Sequence, residues 1–269
     1  MIARSLVRAL LAPLAIAACS RGRHDANDTW TWQTDMPPGS TLHLRDVNGS
    51  LTVRPAVGTT MEVKGSKHWT HGRADNVKFV AETRGGDVSV CAMFGDRGRC
   101  TPDGYRARAT GFHNVFGIKW GSDMAADFVV SVPAGVKIDA STVQGEVIVE
   151  GASAPVVVKT VSGSIDASTS VGPMTVESVN GTINARVDSL PADSGPLSFT
   201  TINGSVTAVL PAGLNATADL ETITGSITSD FPLPIEGQYG PRHARGVVGA
   251  GGRALHLRTI NGSVTLKRR

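Results

Sequence analysis

The sequence predicts an all-β protein folded as a β-solenoid, a stack of coils of about 18 residues set by the glycine spacing below. A nine-residue unit recurs seven times, apolar residues alternate with period two, and Val, Thr and Gly abound while aromatics make up only 5%. The unit reads "RDVNGSLTV" (45–53), "STVQGEVIV" (141–149), "KTVSGSIDA" (159–167), "ESVNGTINA" (177–185), "TTINGSVTA" (200–208), "ETITGSITS" (221–229) and "RTINGSVTL" (258–266).

Its glycines are Gly49, Gly145, Gly163, Gly181, Gly204, Gly225 and Gly262, with steps from Gly145 of 18, 18, 23, 21 and 37, the last close to two periods. Counted from each glycine, apolar residues recur at −7, −5, −2, +2 and usually +4. In the fourth copy these are Met174, Val176, Val179, Ile183 and Ala185. That set changes parity at the turn, which a single strand cannot do while keeping one face. The expected solution is a corner between two sides of a coil, with the −2 aliphatic inside, Gly supplying a positive φ and Asn tolerating the left-handed region. The alternative is an antiparallel β meander of Asn-Gly hairpins, with −7, −5, −3, +2 and +4 on one face and −2 on the other. A single coil buries too few small aliphatics to offset its ordering entropy, so neighbouring coils must cover it.

A single elongated domain over 31–269 is expected, with an irregular β section at 31–132 and regular repeats at 133–269. In the irregular section "TMEVKGS", "VKFVAE", "DVSVCAMF" and "AADFVVSVP" are strand candidates and "TRGGD" (83–87) a turn. "GFHNVFGIKWGSD" (111–123) and "GVVGAGG" (246–252) read as loops; the second lacks the spacing and strand-to-helix setting of a phosphate-binding turn. Cys91 and Cys100 are expected to form a structural disulfide that staples this section, because the chain reads as exported and two thiols without nearby histidines make a poor metal site.

The first residues, "MIARSLVRALLAPLAIAACS", carry Arg4 and Arg8, an apolar core and small residues leading to Cys19. This is the pattern of a secretory signal (1–18), with a lipobox-like ending that makes Cys19 the expected lipidation site. Ser20, rather than Asp, resembles the sorting state for the outer membrane, and the polar stretch 19–30 reads as a flexible tether. Without Arg4 and Arg8 the chain is close to neutral, which removes the electrostatic case for nucleic-acid binding.

The −4 and −6 positions are expected outside. They bring Lys159 beside Glu177 on adjacent coils and place Glu177, Asp219 and Glu221 on one wall. Glu177 and Glu221, two coils apart, would stand roughly 10 Å from each other, near the upper limit for inverting glycoside hydrolysis. With no aromatic platform beside them, they read as solvated charges. "HWTH" gives His68 and His71 at a spacing that points them to opposite faces of a strand. The turns lack the aspartates of a calcium-binding β-roll, and no nucleophile-elbow motif appears. No catalytic residue, metal or cofactor is expected.

The stretches "WTW…PPGSTLHLRDVNGSLTV", "VSVCAMF…RC…GY", "DFVVSVPAGVKIDASTVQGEVIVEG" and "GAGGRALHLRTINGSVTL" resemble the bacterial putative-adhesin family of β-strand-repeat proteins, a domain of unknown function. The resemblance covers nearly all of 29–266 and implies an exported, often lipid-anchored, β-solenoid-like domain with no family active-site residues. The expectation is therefore a lipid-anchored envelope protein, non-enzymatic, that binds protein or glycan. A self-assembling envelope scaffold and a carbohydrate-active enzyme are the alternatives.

Overall fold

A computed structural model describes residues 28–69, 76–95, 98–107, 124–191, 194–237 and 240–269. The N-terminal section runs β1 (Asp28–Asp35), β2 (Thr41–Arg45), β3 (Leu51–Pro55), β4 (Thr60–His68), β5 (Val77–Arg84), β6 (Asp87–Phe94), β7 (Gly98–Thr101), β8 (Gly104–Ala107) and β9 (Ala125–Val132). The middle runs β10 (Lys137–Ser141), β11 (Val147–Ala152), β12 (Val156–Ser162), β13 (Ile165–Thr169), β14 (Met174–Asn180), β15 (Ile183–Val187), β16 (Leu197–Thr200) and β17 (Val206–Leu210). The last section runs β18 (Ala216–Thr224), β19 (Ile227–Ser229), β20 (Ile235–Glu236), β21 (Arg242–Val248), β22 (Arg253–Asn261) and β23 (Val264–Arg268). Every element among the described residues is a strand, apart from turns and one residue of 3₁₀ conformation.

Two large mixed sheets face each other. One has ten strands, β1-β4-β9-β3-β11-β13-β15-β17-β23-β19, and the other eleven, β20-β21-β18-β22-β16-β14-β12-β10-β2-β6-β5. The strand before each repeat glycine lies in the second sheet and the strand after it in the first, so the chain crosses between sheets at every corner. That rules out the hairpin alternative, in which the two strands of one copy would pair with each other. Copies pair instead with copies, in parallel and in register: Ile138 opposite Val156 opposite Met174, and Val147 opposite Ile165 opposite Ile183.

The inner faces form the core. One row runs Leu42, Ile138, Val156, Met174, Leu197, Leu255 and Ala218, and the next Leu44, Ala140, Val158, Val176, Phe199, Leu257 and Leu220, all buried. From the opposite sheet come Leu51, Val147, Ile165, Ile183, Val206, Val264 and Ile227. Each fully buried Val, Leu or Ile contributes roughly 1.5–3 kcal/mol, and because the rows are continuous, each coil's apolar face is covered by the next.

Three expectations are corrected. The −2 residues are not inside: Ser178, at −3, is buried and Val179 is half-exposed, and other copies follow the same pattern. The stacking order is not the chain order at the C-terminal end. The final pair β22–β23 inserts between β16–β17 and β18–β19, so the earlier copy lies outside the later one. "GVVGAGG" is only partly loop, since Gly246–Val248 complete β21, antiparallel to β18.

The first copy, β2–β3, stacks directly on β10–β11, and beyond it β6 extends one sheet and β9 the other. "TRGGD" is the hairpin between β5 and β6. At this end Trp30 stacks on Phe79, which meets Phe128 edge to face, with ring centroids 5.6 and 5.0 Å apart, closing the gap between the sheets. β1 starts at Asp28, inside the stretch expected as tether. Residues 1–27, His71 and the 111–123 segment lie outside the described residues.

Candidate functional site

The corner decides what the repeat shows to solvent. At −3 a Thr or Ser points inward, and its hydroxyl donates to the carbonyl of the corner glycine one coil away. Thr222 reaches Gly262 O at 2.7 Å, Thr259 reaches Gly204 O at 2.8 Å and Thr201 reaches Gly181 O at 3.0 Å. Ser178, Thr160 and Thr142 make the same bond at 3.3–3.4 Å to Gly163, Gly145 and Gly49. A buried carbonyl without a donor is costly, so the inward place goes to a hydroxyl rather than an aliphatic.

The glycine column is required by close approach. A Cβ at Gly145, Gly163, Gly181, Gly204, Gly225 or Gly262 would fall inside the van der Waals envelope of the adjacent corner's carbonyl oxygen. At Gly181 this steric demand acts alone, because its φ lies outside the left-handed range. At −1, side chains ladder along the corner: Asn203 Nδ2 donates to Asn180 Oδ1 at 2.7 Å, and Asn261 Nδ2 to Asn203 Oδ1 at 2.8 Å.

With −3 inside, −2 lies outside. Val47, Val143, Val161, Val179, Ile202, Ile260 and Ile223, in stacking order, form a file along one edge of the molecule, one residue per coil at the roughly 4.8 Å spacing of adjacent strands. Val161 is 42% exposed and Ile202 39%. Val143 and Ile223 are exposed to a similar degree, while Val47, Val179 and Ile260 are half-buried.

The wall carboxylates are spoken for. Glu177 pairs with Lys159 at 3.0 Å, as the spacing predicts, Glu221 with Arg258 at 3.4 Å and Asp219 with Arg245 at 3.0 Å. Because β22 intervenes, Glu177 and Glu221 are separated by both Thr200 and Arg258 along their row, three strand steps rather than two. At about 4.8 Å per step that is roughly 14 Å, too far for a paired acid and base. His68 pairs with Asp127 at 2.9 Å. Among the described residues no cluster of three or more His, Cys, Asp or Glu is placed to hold a metal. A cleft of about 130 Å³ between Pro55, Val132, Ile138 and Ala152 is mostly apolar.

One polar cluster escaped the sequence reading. Arg45, at an outward position, is buried because the β7–β8 hairpin covers it. Its guanidinium donates to Pro102 O (Nε, 2.9 Å) and to Asp139 O and Oδ1 (Nη1, 2.8 and 2.9 Å), while His43 Nδ1 sits 2.9 Å from Asp139 Oδ2. Burial works against the Asp139 carboxylate, but hydrogen bonds and charge from Arg45, backed by His43, hold its pKa below the usual carboxylate range. The hairpin is fixed by the Cys91–Cys100 disulfide, whose Cα atoms are 5.7 Å apart. The repeats gave no sign of this cover, since it comes from outside them.

The family model described as Toastrack DUF4097 matches residues 81–267. The chain belongs to this Toastrack family. The first Toastrack copy, β2–β3, falls outside the matched range yet stacks in register with the rest. A search of curated proteins finds no match. Among solved structures, this Toastrack chain is similar to a putative cell adhesion protein from Clostridium sporogenes, at 11% identity and a TM-score of 0.41, covering 90% of this chain and 100% of that one. It is also similar to a putative adhesin from Bacteroides fragilis, at 9% identity and a TM-score of 0.36, covering 91% and 99%.

Proposed function

We propose that this protein is a non-enzymatic cell-envelope module that uses the aliphatic file along its corners to bind a protein partner. The carrying observation is that Val143, Val161, Ile202 and Ile223 are held outside at successive corners, where the inward place is taken by a hydroxyl. β-Branched aliphatics with no aromatic among them suit the apolar surface of a protein rather than a sugar face. The paired wall charges provide no catalytic couple. Coils of about 18 residues keep the file in line through the middle of the stack, where paired residues follow that offset.

The signal at 1–18 and the cysteine at 19 support export and outer-membrane anchoring. Cys19 stands nine residues before the edge strand β1, so a lipid there would hold the molecule by the β1 end and leave the file free. The opposite end of the eleven-stranded sheet is closed by the antiparallel β20–β21 hairpin, which works against end-to-end stacking into filaments.

Purified full-length protein, immobilised and exposed to solubilised envelope proteins and separately to a glycan array, tests this reading. Val161→Ser/Ile202→Ser is expected to abolish binding of one defined protein at unchanged melting temperature. Glycan binding unaffected by these changes would replace the proposal, as would reducing-sugar release from a polysaccharide. Anchoring is tested by detergent-phase partitioning, which Cys19→Ala should abolish.

A further inference from the structure

Asp46 occupies the −3 position of the first corner, where the other six copies carry Thr or Ser. The coil neighbouring this corner ends not in a glycine but in β9. A side chain at Gly49 would meet the Ala126 carbonyl oxygen, just as one at Gly145 would meet Gly49 O and one at Gly163 would meet Gly145 O. Ala126 O therefore stands where the corner-glycine carbonyl stands elsewhere, and Asp46 stands where its hydroxyl donor stands. Asp46 is only 7% exposed, and although the Val47 and Asn48 amides lie close enough to pull on its carboxylate, neither oxygen has a hydrogen-bond partner of normal geometry. An ionised carboxylate can only accept and would confront the carbonyl, whereas a carboxylic acid can donate to it.

We infer that Asp46 is held as a neutral carboxylic acid whose O–H bonds the Ala126 carbonyl, making the first corner a pH-sensitive latch between the repeat stack and the end strands β9, β4 and β1. The surrounding charges agree. On β9, Asp127 is the neighbouring like charge; its Oδ1 accepts from the Ser50 amide and hydroxyl at 2.7 and 2.8 Å. On β4, His68 is engaged with Asp127 Oδ2. On β10, Asp139 is held by Arg45 and His43, and the Asp46 amide meets Ser141 O at 2.9 Å. Arg45, next in sequence, is directed to Asp139 and Pro102 rather than to Asp46.

Burial first, with repulsion from Asp127, pushes the acid up to about 8 against the pull of the Val47 and Asn48 amides. The folded chain thus binds this proton more tightly than the unfolded one. The resulting stabilisation is complete below the ordinary carboxylate pKa of about 4 and declines as pH rises, and the latch is open above about 8.

The test is carried out on the full chain by amide hydrogen exchange at pH 7 and pH 9.5, corrected for intrinsic rates, together with a ¹³C titration of the Asp46 carboxyl. The amides to watch are Ala126, bonded to Asn48 O at 2.7 Å, and Phe128, bonded to Ser50 O at 2.9 Å. At pH 9.5 the wild type should lose protection there about tenfold or more while β14 amides do not. Asp46→Thr, which restores the hydroxyl of the other corners, and Asp46→Asn should show no such loss. A carboxyl titrating near 4, or equal pH responses in wild type and Asp46→Thr, would overturn the latch. Should the variants not fold, the wild-type carboxyl titration decides alone.

Discussion

Gly181 and Ser178 divide the work of a corner between space and hydrogen bonding. Gly181→Val forces a branched side chain into the Gly163 carbonyl, and is expected to destabilise by about 4 kcal/mol or more. Thr175→Val, on the outer wall one strand before, should stay within about 0.5 kcal/mol. Equal melting temperatures for the two would refute the steric account of the column. Thr201→Val, nearly isosteric, removes the donor to Gly181 O and should cost about 1–3 kcal/mol by denaturant titration. The repeat glycines and the inward −7, −5, +2 and +4 residues were legible because spacing and period two read directly onto faces. The −3/−2 pair was not. Valine at 179 and serine at 178 give core and surface by hydropathy, but the corner carbonyls need donors inside, and that demand is invisible until the coils are stacked.

At the scale of elements, the disulfide hairpin and the Arg45 cluster act as one clamp on the wall of the eleven-stranded sheet. Arg45→Ala takes the donor from the Pro102 carbonyl and leaves Asp139 with His43 alone, and should cost about 3–5 kcal/mol in chemical denaturation. Replacing both cysteines by serine should cost roughly 2–3 kcal/mol, the value of closing so short a loop. The Asp139 pKa is depressed in the fold, so the clamp's contribution is present above about pH 4 and is lost as pH falls through the lower folded value. Arg45→Ala should flatten that acid limb of the stability curve. The disulfide was readable from two cysteines in a chain that reads as exported; the clamp was not, because Arg45 occupies an outward column and its cover comes from a hairpin more than fifty residues away.

Over the whole molecule, the seven repeat copies stack in the order of synthesis except at one place. The 37-residue step from Gly225 to Gly262 reads in sequence as two periods, yet it is an outward excursion through β20–β21 and a return that wedges β22–β23 beneath β18–β19. A chain ending at Gly252 would lack the strands that join β18 and β19 to the stack. In it, amides of β18–β21 are expected to exchange as in an unfolded segment while β10–β15 keep their protection. The central claim is that repetition builds an inward hydroxyl ladder and, as its consequence, an outward aliphatic file. Maleimide labelling of the folded full chain, with the modified peptide identified by mass, tests it directly in Val161→Cys and Thr160→Cys. Cys at 161 should react at nearly the rate of a free thiol and Cys at 160 should be protected until the protein is unfolded; the reverse order would contradict the account.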